Sequence, residues 1–134
     1  MSATTTYSST TTTRRAGHVA LWVLQVLLAA TYVLSASGKL AADPMQVAGF
    51  DLMGLGAAGM YVVGAAELLG AIGLLIPRLT GLAALCLVAL MIGAVTLTAV
   101  FVGGAMIAIP AVVLALVAVV AWGRRASTLA LLRR

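Results

Sequence analysis

From Val19 to Gly38 the chain runs without a charge. Polar positions then thicken after Lys39, before a second apolar run opens near Ala57 and closes at Pro77. From Leu79 to Trp122 there is again no charge. An α-helix rises about 1.5 Å per residue, and about 20 apolar residues cross a bilayer. The pattern therefore predicts one span over about 19–38 and a second over about 57–77. The long uncharged stretch is too long for one span and suits two. Gly103 and Gly104 mark the break, giving spans over about 79–102 and 105–122. Pro110 lacks the backbone donor its turn requires, so a kink is expected in the fourth helix. The segment "LAADPMQVAGFDLMGLGAAG" (40–59), with a proline, two aspartates and several glycines, predicts a connection carrying a short interfacial helix. The fold class that follows is all-α, an integral membrane four-helix bundle.

The ends of the chain differ from this core. Residues 2–13, "SATTTYSSTTTT", are polar and low in complexity, which predicts a disordered tail over 1–17; residues 124–134 read as a short basic tail after the bundle at 18–123. Two arginines before an apolar run, with "SASG" at 35–38, also describe a cleavable leader. The run is longer than a usual leader core and holds Gln25, Thr31 and Tyr32, which favours a retained helix. With four spans, all the arginines fall on one side and Lys39 alone on the other. The excess of positive charge predicts that both termini are cytoplasmic. Trp22 and Trp122 would then lie at the inner interface, and Tyr61 and Phe101 at the outer.

Composition narrows the class. With 63% of residues hydrophobic and 8% charged, and a mean hydropathy of +1.19, a soluble domain is excluded. The net charge of +5 does not indicate a nucleic-acid partner, because the basic residues flank apolar runs instead of lining an amphipathic surface. The lipid bilayer is the expected partner. A single cysteine, Cys86, allows no internal disulfide or paired-thiol redox site and reads as a small core residue. A single histidine, His18, reads as an interfacial side chain and cannot supply two axial ligands to a haem. No cluster of metal-ligand residues occurs. With no Ser/His/Asp set and no second carboxylate within a span, an autonomous enzyme is the least favoured reading. Arginine far outnumbers lysine and Ala, Gly, Val and Leu dominate, which points to a GC-rich bacterial source.

One carboxylate breaks the second span. In "VVGAAELLGAIGLL" (62–75), Glu67 lies about 15 Å from the outer end, close to the bilayer midplane. An ionised carboxylate there costs at least about 2.5 kcal/mol, so it must be protonated, paired or solvated within the protein. At 100° per residue its face also carries Met60, Val63, Gly64, Ala71 and Leu74, with Gly70 and Gly73 in a smooth strip beside it. Small residues let helices approach closely, so Gly64, Gly70 and Gly73 are expected to pack against neighbours. The first span offers a matching stripe of Gln25, Ala29, Tyr32, Ala36 and Lys39. Glu67, Tyr32, Gln25 and Lys39 are the candidate ligand-binding or proton-handling residues. By depth Gln25 and Tyr32 bracket Glu67, whereas Lys39 meets it only if the two helices are offset. Thr96 and Thr98 are expected to bond their own helix backbone.

Three stretches carry a resemblance: "SASGKL" (35–40), "AELLGAIGLLIPRLTGLAAL" (66–85) and "LMIGAV" (90–95). Together they resemble the DoxX-like family of small four-helix membrane proteins, over about Leu21 to Trp122. The "E-x-x-G-x-x-G-L-L" core, Glu67 to Leu75, is its most specific part. The resemblance implies a bacterial inner-membrane bundle linked to membrane oxidoreductases, sulfur or quinone chemistry and oxidative stress. It would have no intrinsic cofactor and could hold a bound quinone or lipid, with oxidoreductase subunits or a second copy as partners. Glu67 and Lys39 carry over residue by residue. Many members also have a histidine near the end of the third helix, where this chain reads "GAVTLTAVF" (93–101). The leading expectation is a binding or accessory subunit. A small proton-coupled transporter and an assembly factor for other membrane proteins are the alternatives.

Overall fold

The computed structural model describes residues 5–133. The described elements are all helical: α1 (Thr5–Leu40), α2 (Pro44–Leu52), α3 (Gly56–Leu75), α4 (Thr80–Phe101), a 3-10 turn (Gly104–Ile107), α5 (Ala108–Gly123) and α6 (Arg125–Leu132). Four segments are long and apolar enough to cross a membrane: Arg14–Leu40, Gly56–Leu75, Thr80–Phe101 and Gly104–Gly123. They lie within a few residues of the spans that hydropathy predicts. Alternating directions place both ends of the described chain at one end of the bundle, called here the terminal end; α2 and the Gly103–Gly104 turn form the loop end.

Going round the bundle, α1 packs on α3, α3 on α4, α4 on α5, and α5 closes on α1 at the thinnest seam. The core is Leu28, Ala71, Leu74, Leu87, Val117 and Val120 with their neighbours. Val62, Leu69, Val112 and Val119 are more than half exposed on the outside, a surface suited to acyl chains and not to water. Between α3 and α4 the contact is close: a Cβ on Gly70 would lie 2.5 Å from Leu87, and one on Gly73 would lie 2.7 Å from Ala83. Without a hydrophobic drive between helices in lipid, such contact supplies the dispersion energy that holds them together.

The structure differs from the sequence reading at several points. α1 runs back to Thr5, through the segment expected to lack structure, because extending a formed helix is far cheaper than starting one; residues 1–4 of that predicted tail lie outside the described residues. The basic tail contains a helix, α6, which lies on α4. Gly81 makes this possible, since a Cβ there would collide with Thr128 and the Arg124 carbonyl. Pro110 causes no mid-helix kink: it sits in the first turn of α5, where a backbone N–H has no intrahelical partner to lose. Cys86 is exposed on the outer face of α4, not buried in the core. The inward face of α4 is Ala83, Ala84, Leu87 and Met91, and Cys86 lies about a third of a turn away from it.

Candidate functional site

The site begins with how α1 and α3 are staggered. α1 ends at Leu40, yet the Lys39 Cβ lies against Gly64, eight residues and about 12 Å into α3. A Cβ on Gly64 would be 3.0 Å from that of Lys39, so the absent side chain makes room for the lysine stem. The offset on which a Lys39–Glu67 meeting depends is therefore present. The lysine side chain extends one turn along α3, and its Nζ stands 3.1 Å from Glu67 Oε2. The same Nζ donates to Ser35 Oγ at 2.6 Å. Lys39 is 7% exposed and Glu67 3%. Pairing answers the cost of a carboxylate at this depth, although the desolvation of two ions leaves little net stability in the pair.

The chain after α1 closes over this pair. Ala42 turns out of α1 at φ 55°, Asp43 Oδ1 accepts from the Met45 amide at 2.9 Å, and Pro44 starts α2. α2 then lies on α3 with Phe50 buried. Beneath it, in the loop half of the bundle, is a cavity of about 560 Å³. Its polar wall is Tyr32, Ser35, Lys39 and Glu67; Gln46 and Phe50 of α2 form one end, and α4 and α5 give apolar walls that include Met91, Leu97 and Val113. Thr31 on α1 and Ile109 on α5 both line it and are both exposed on the outside of the bundle. Ala89 and Gly93 on α4 line it and are exposed as well, so the cavity reaches the outside of the bundle, toward the acyl region of a surrounding bilayer.

Two polar atoms of this wall lack a hydrogen-bond partner. Tyr32 is 2% exposed and its hydroxyl bonds to nothing in the protein. Glu67 Oε2 is in ion-pair contact with Lys39, but the geometry is not that of a hydrogen bond. Buried polar atoms are nearly always satisfied, and a lone unsatisfied one costs about 1–3 kcal/mol.

Gln25, grouped with Glu67 on the helical wheel, does other work. Its Nε2 donates to the Leu74 carbonyl at 3.0 Å, and its Oε1 accepts from Arg124 Nε at 2.7 Å. The last carbonyls of a helix have no intrahelical donor, so Gln25 caps the end of α3 and ties it to α1 and Arg124. Thr80 Oγ1 also donates to Leu74 O, at 3.3 Å. Arg124 was legible only as a topology signal. It lies 5.9 Å from the Trp22 ring, and its Nη1 donates to His18 Nδ1 at 3.1 Å. Burial pulls the guanidinium below its ordinary pKa, but so basic a group stays charged.

Sequence reasoning missed Ser35, Gln46 and Phe50. Ser35, four residues before Lys39 on the same helix face, had a readable signal; the other two needed the position of α2. Thr96 Oγ1 donates to Ile92 O at 2.8 Å, as expected, whereas Thr98 lines the cavity. Among the described residues, no three His, Cys, Asp or Glu side chains come together to hold a metal ion.

The chain matches the DoxX-like family over residues 23–120. This protein belongs to that family. In this DoxX-like protein the match takes in Tyr32, Lys39, Gly64 and Glu67, with all the cavity walls, and leaves His18 and Arg124 outside it. No curated protein and no solved structure matches the chain.

Proposed function

We propose that this DoxX-like membrane protein is a binding or accessory subunit whose cavity takes a quinone or lipid-like molecule from the bilayer. It would serve a membrane oxidoreductase or a quinone- or lipid-handling system in the bacterial cytoplasmic membrane, with both termini in the cytoplasm. The observation that carries this reading is the polar wall of Tyr32, Ser35, Lys39 and Glu67 inside a largely apolar cavity of about 560 Å³ that reaches the outside of the bundle. Ligand sites are of this kind, mostly apolar with a few convergent polar groups, and about 300–1,000 Å³ in volume.

The arginine-rich terminal end supports the orientation through the positive-inside rule. Ligand capture needs no resident redox centre, which is consistent with one cysteine and one histidine in the chain. The contact between Glu67 and Lys39 favours a fixed binder over a proton-coupled transporter, whose carboxylate must be released to alternate between proton and substrate. An assembly factor would use the same surfaces transiently, and cross-linking in native membranes separates it by capturing many clients instead of one stable partner.

The test is purification in mild detergent with mass spectrometry of co-purifying lipids, quinones and proteins, comparing the native chain with Glu67→Gln. A stoichiometric amphiphile or a stable partner, lost in the variant while the fold is retained, is the expected result. A variant indistinguishable in both would refute the reading.

A further inference from the structure

The two unsatisfied atoms of the cavity differ in what they need. The Tyr32 hydroxyl has a proton to donate; Glu67 Oε2 has a lone pair and no aligned donor. Both residues line the same cavity. The only charged side chains in that lining are Lys39 and Glu67, 3.1 Å apart, so the wall is neutral as a whole. A cationic head entering it meets the Lys39 ammonium, and an anionic head meets the Glu67 carboxylate. Either would leave water for a neutral wall with no counter-ion to spare.

From this, and resting on the binding reading above, we infer that the cavity selects an uncharged amphiphile bearing a hydroxyl group. That hydroxyl accepts from Tyr32 O–H and donates to Glu67 Oε2, so one atom satisfies both. Lys39 pairs with the carboxylate at 3.1 Å, and Ser35 Oγ holds the ammonium in place by accepting from it. The apolar tail runs along the α4 and α5 walls toward the exposed rim of the cavity. An ether or ester oxygen can accept from Tyr32 but offers Glu67 nothing.

Four probes with the same twelve-carbon chain test this: dodecanol, its methyl ether, dodecyltrimethylammonium and dodecanoate. Each is titrated into the full chain in nanodiscs of fixed lipid composition, reading thermal stabilisation against probe concentration and adducts by native mass spectrometry. Dodecanol is expected to saturate at one per chain and to bind about tenfold or more tighter than the ether, a hydrogen bond to a charged group being the difference. Tyr32→Phe, which removes an unpartnered hydroxyl and leaves the ring in place, is expected to fold normally and to weaken dodecanol about fivefold or more, and the methyl ether with it, since both oxygens accept from Tyr32, with little effect on the two charged probes. Equal binding of alcohol and ether, or no change in Tyr32→Phe, overturns the inference and points to an apolar pocket or a bridging water. Saturable binding that favours the cation or the anion overturns it too, while leaving the binding reading intact. Failure of every probe to saturate overturns both.

Discussion

Lys39→Met is the most revealing single perturbation, because it removes a charge while keeping a chain of similar length against Gly64. At 3.1 Å, two unit charges attract by about 5 kcal/mol at an effective dielectric constant of 20. Most of that offsets the desolvation of two ions, so the pair as a whole contributes little. Breaking it leaves Glu67, 3% exposed, as an uncompensated charge, a change that typically costs about 3–5 kcal/mol. Lys39→Met is therefore expected to destabilise the bundle by about 3 kcal/mol, and Glu67→Leu by a similar amount through the stranded ammonium. The double variant, with neither charge, is expected to lose far less than the sum, giving a coupling of at least about 2 kcal/mol. Reversible unfolding of all four proteins in the same mixed micelle measures each term. Single costs below about 1 kcal/mol, or additivity within about 0.5 kcal/mol, would show that the two side chains do not act as a pair in the membrane.

Three further outcomes follow from packing. Gly70→Ala is expected to lose about 1–3 kcal/mol by forcing its new methyl onto Leu87, whereas Gly93→Ala on α4, with nothing within 4 Å, should be neutral or slightly stabilising; unfolding midpoints compare them, and equal effects would contradict the α3–α4 contact. Gln25→Leu should destabilise by about 1–3 kcal/mol, because Arg124 Nε loses its acceptor, and the loss should shrink in an Arg124→Leu background; an unchanged loss there would deny the link. Cys86 should react with a membrane-permeant maleimide in detergent and resist a hydrophilic one in sealed vesicles. Resistance to both would place it in the core after all.

Much of the bundle was legible because period and depth are local properties. The α1 stripe of Gln25, Ala29, Tyr32, Ala36 and Lys39 is buried along its whole length, each residue at 7% exposure or less. On α3, Met60, Gly64, Glu67, Ala71 and Leu74 form the buried face that their spacing predicts. What the pattern does not encode is the stagger between helices, and that stagger decides that Lys39 reaches Glu67 while Gln25 reaches Leu74 instead. α4 is apolar all round, since lipid and core favour the same side chains, so the exposure of Cys86 had no readable signal. α6 and the burial of Arg124 both depend on Gly81 and Gln25 lying far away in sequence, and the basic composition of that segment suggests only a tail.

On the proposed function, the cavity beside Glu67 holds a molecule drawn from the membrane. The most direct test fills that space without touching either charge: Ala94→Phe projects a ring into the cavity from α4. Quantitative mass spectrometry of amphiphiles co-purifying with the native chain and with this variant, at matched unfolding midpoints, is the deciding measurement. One equivalent of a membrane amphiphile on the native chain and almost none on Ala94→Phe is expected. The same amphiphile at the same stoichiometry on both folded proteins would contradict it.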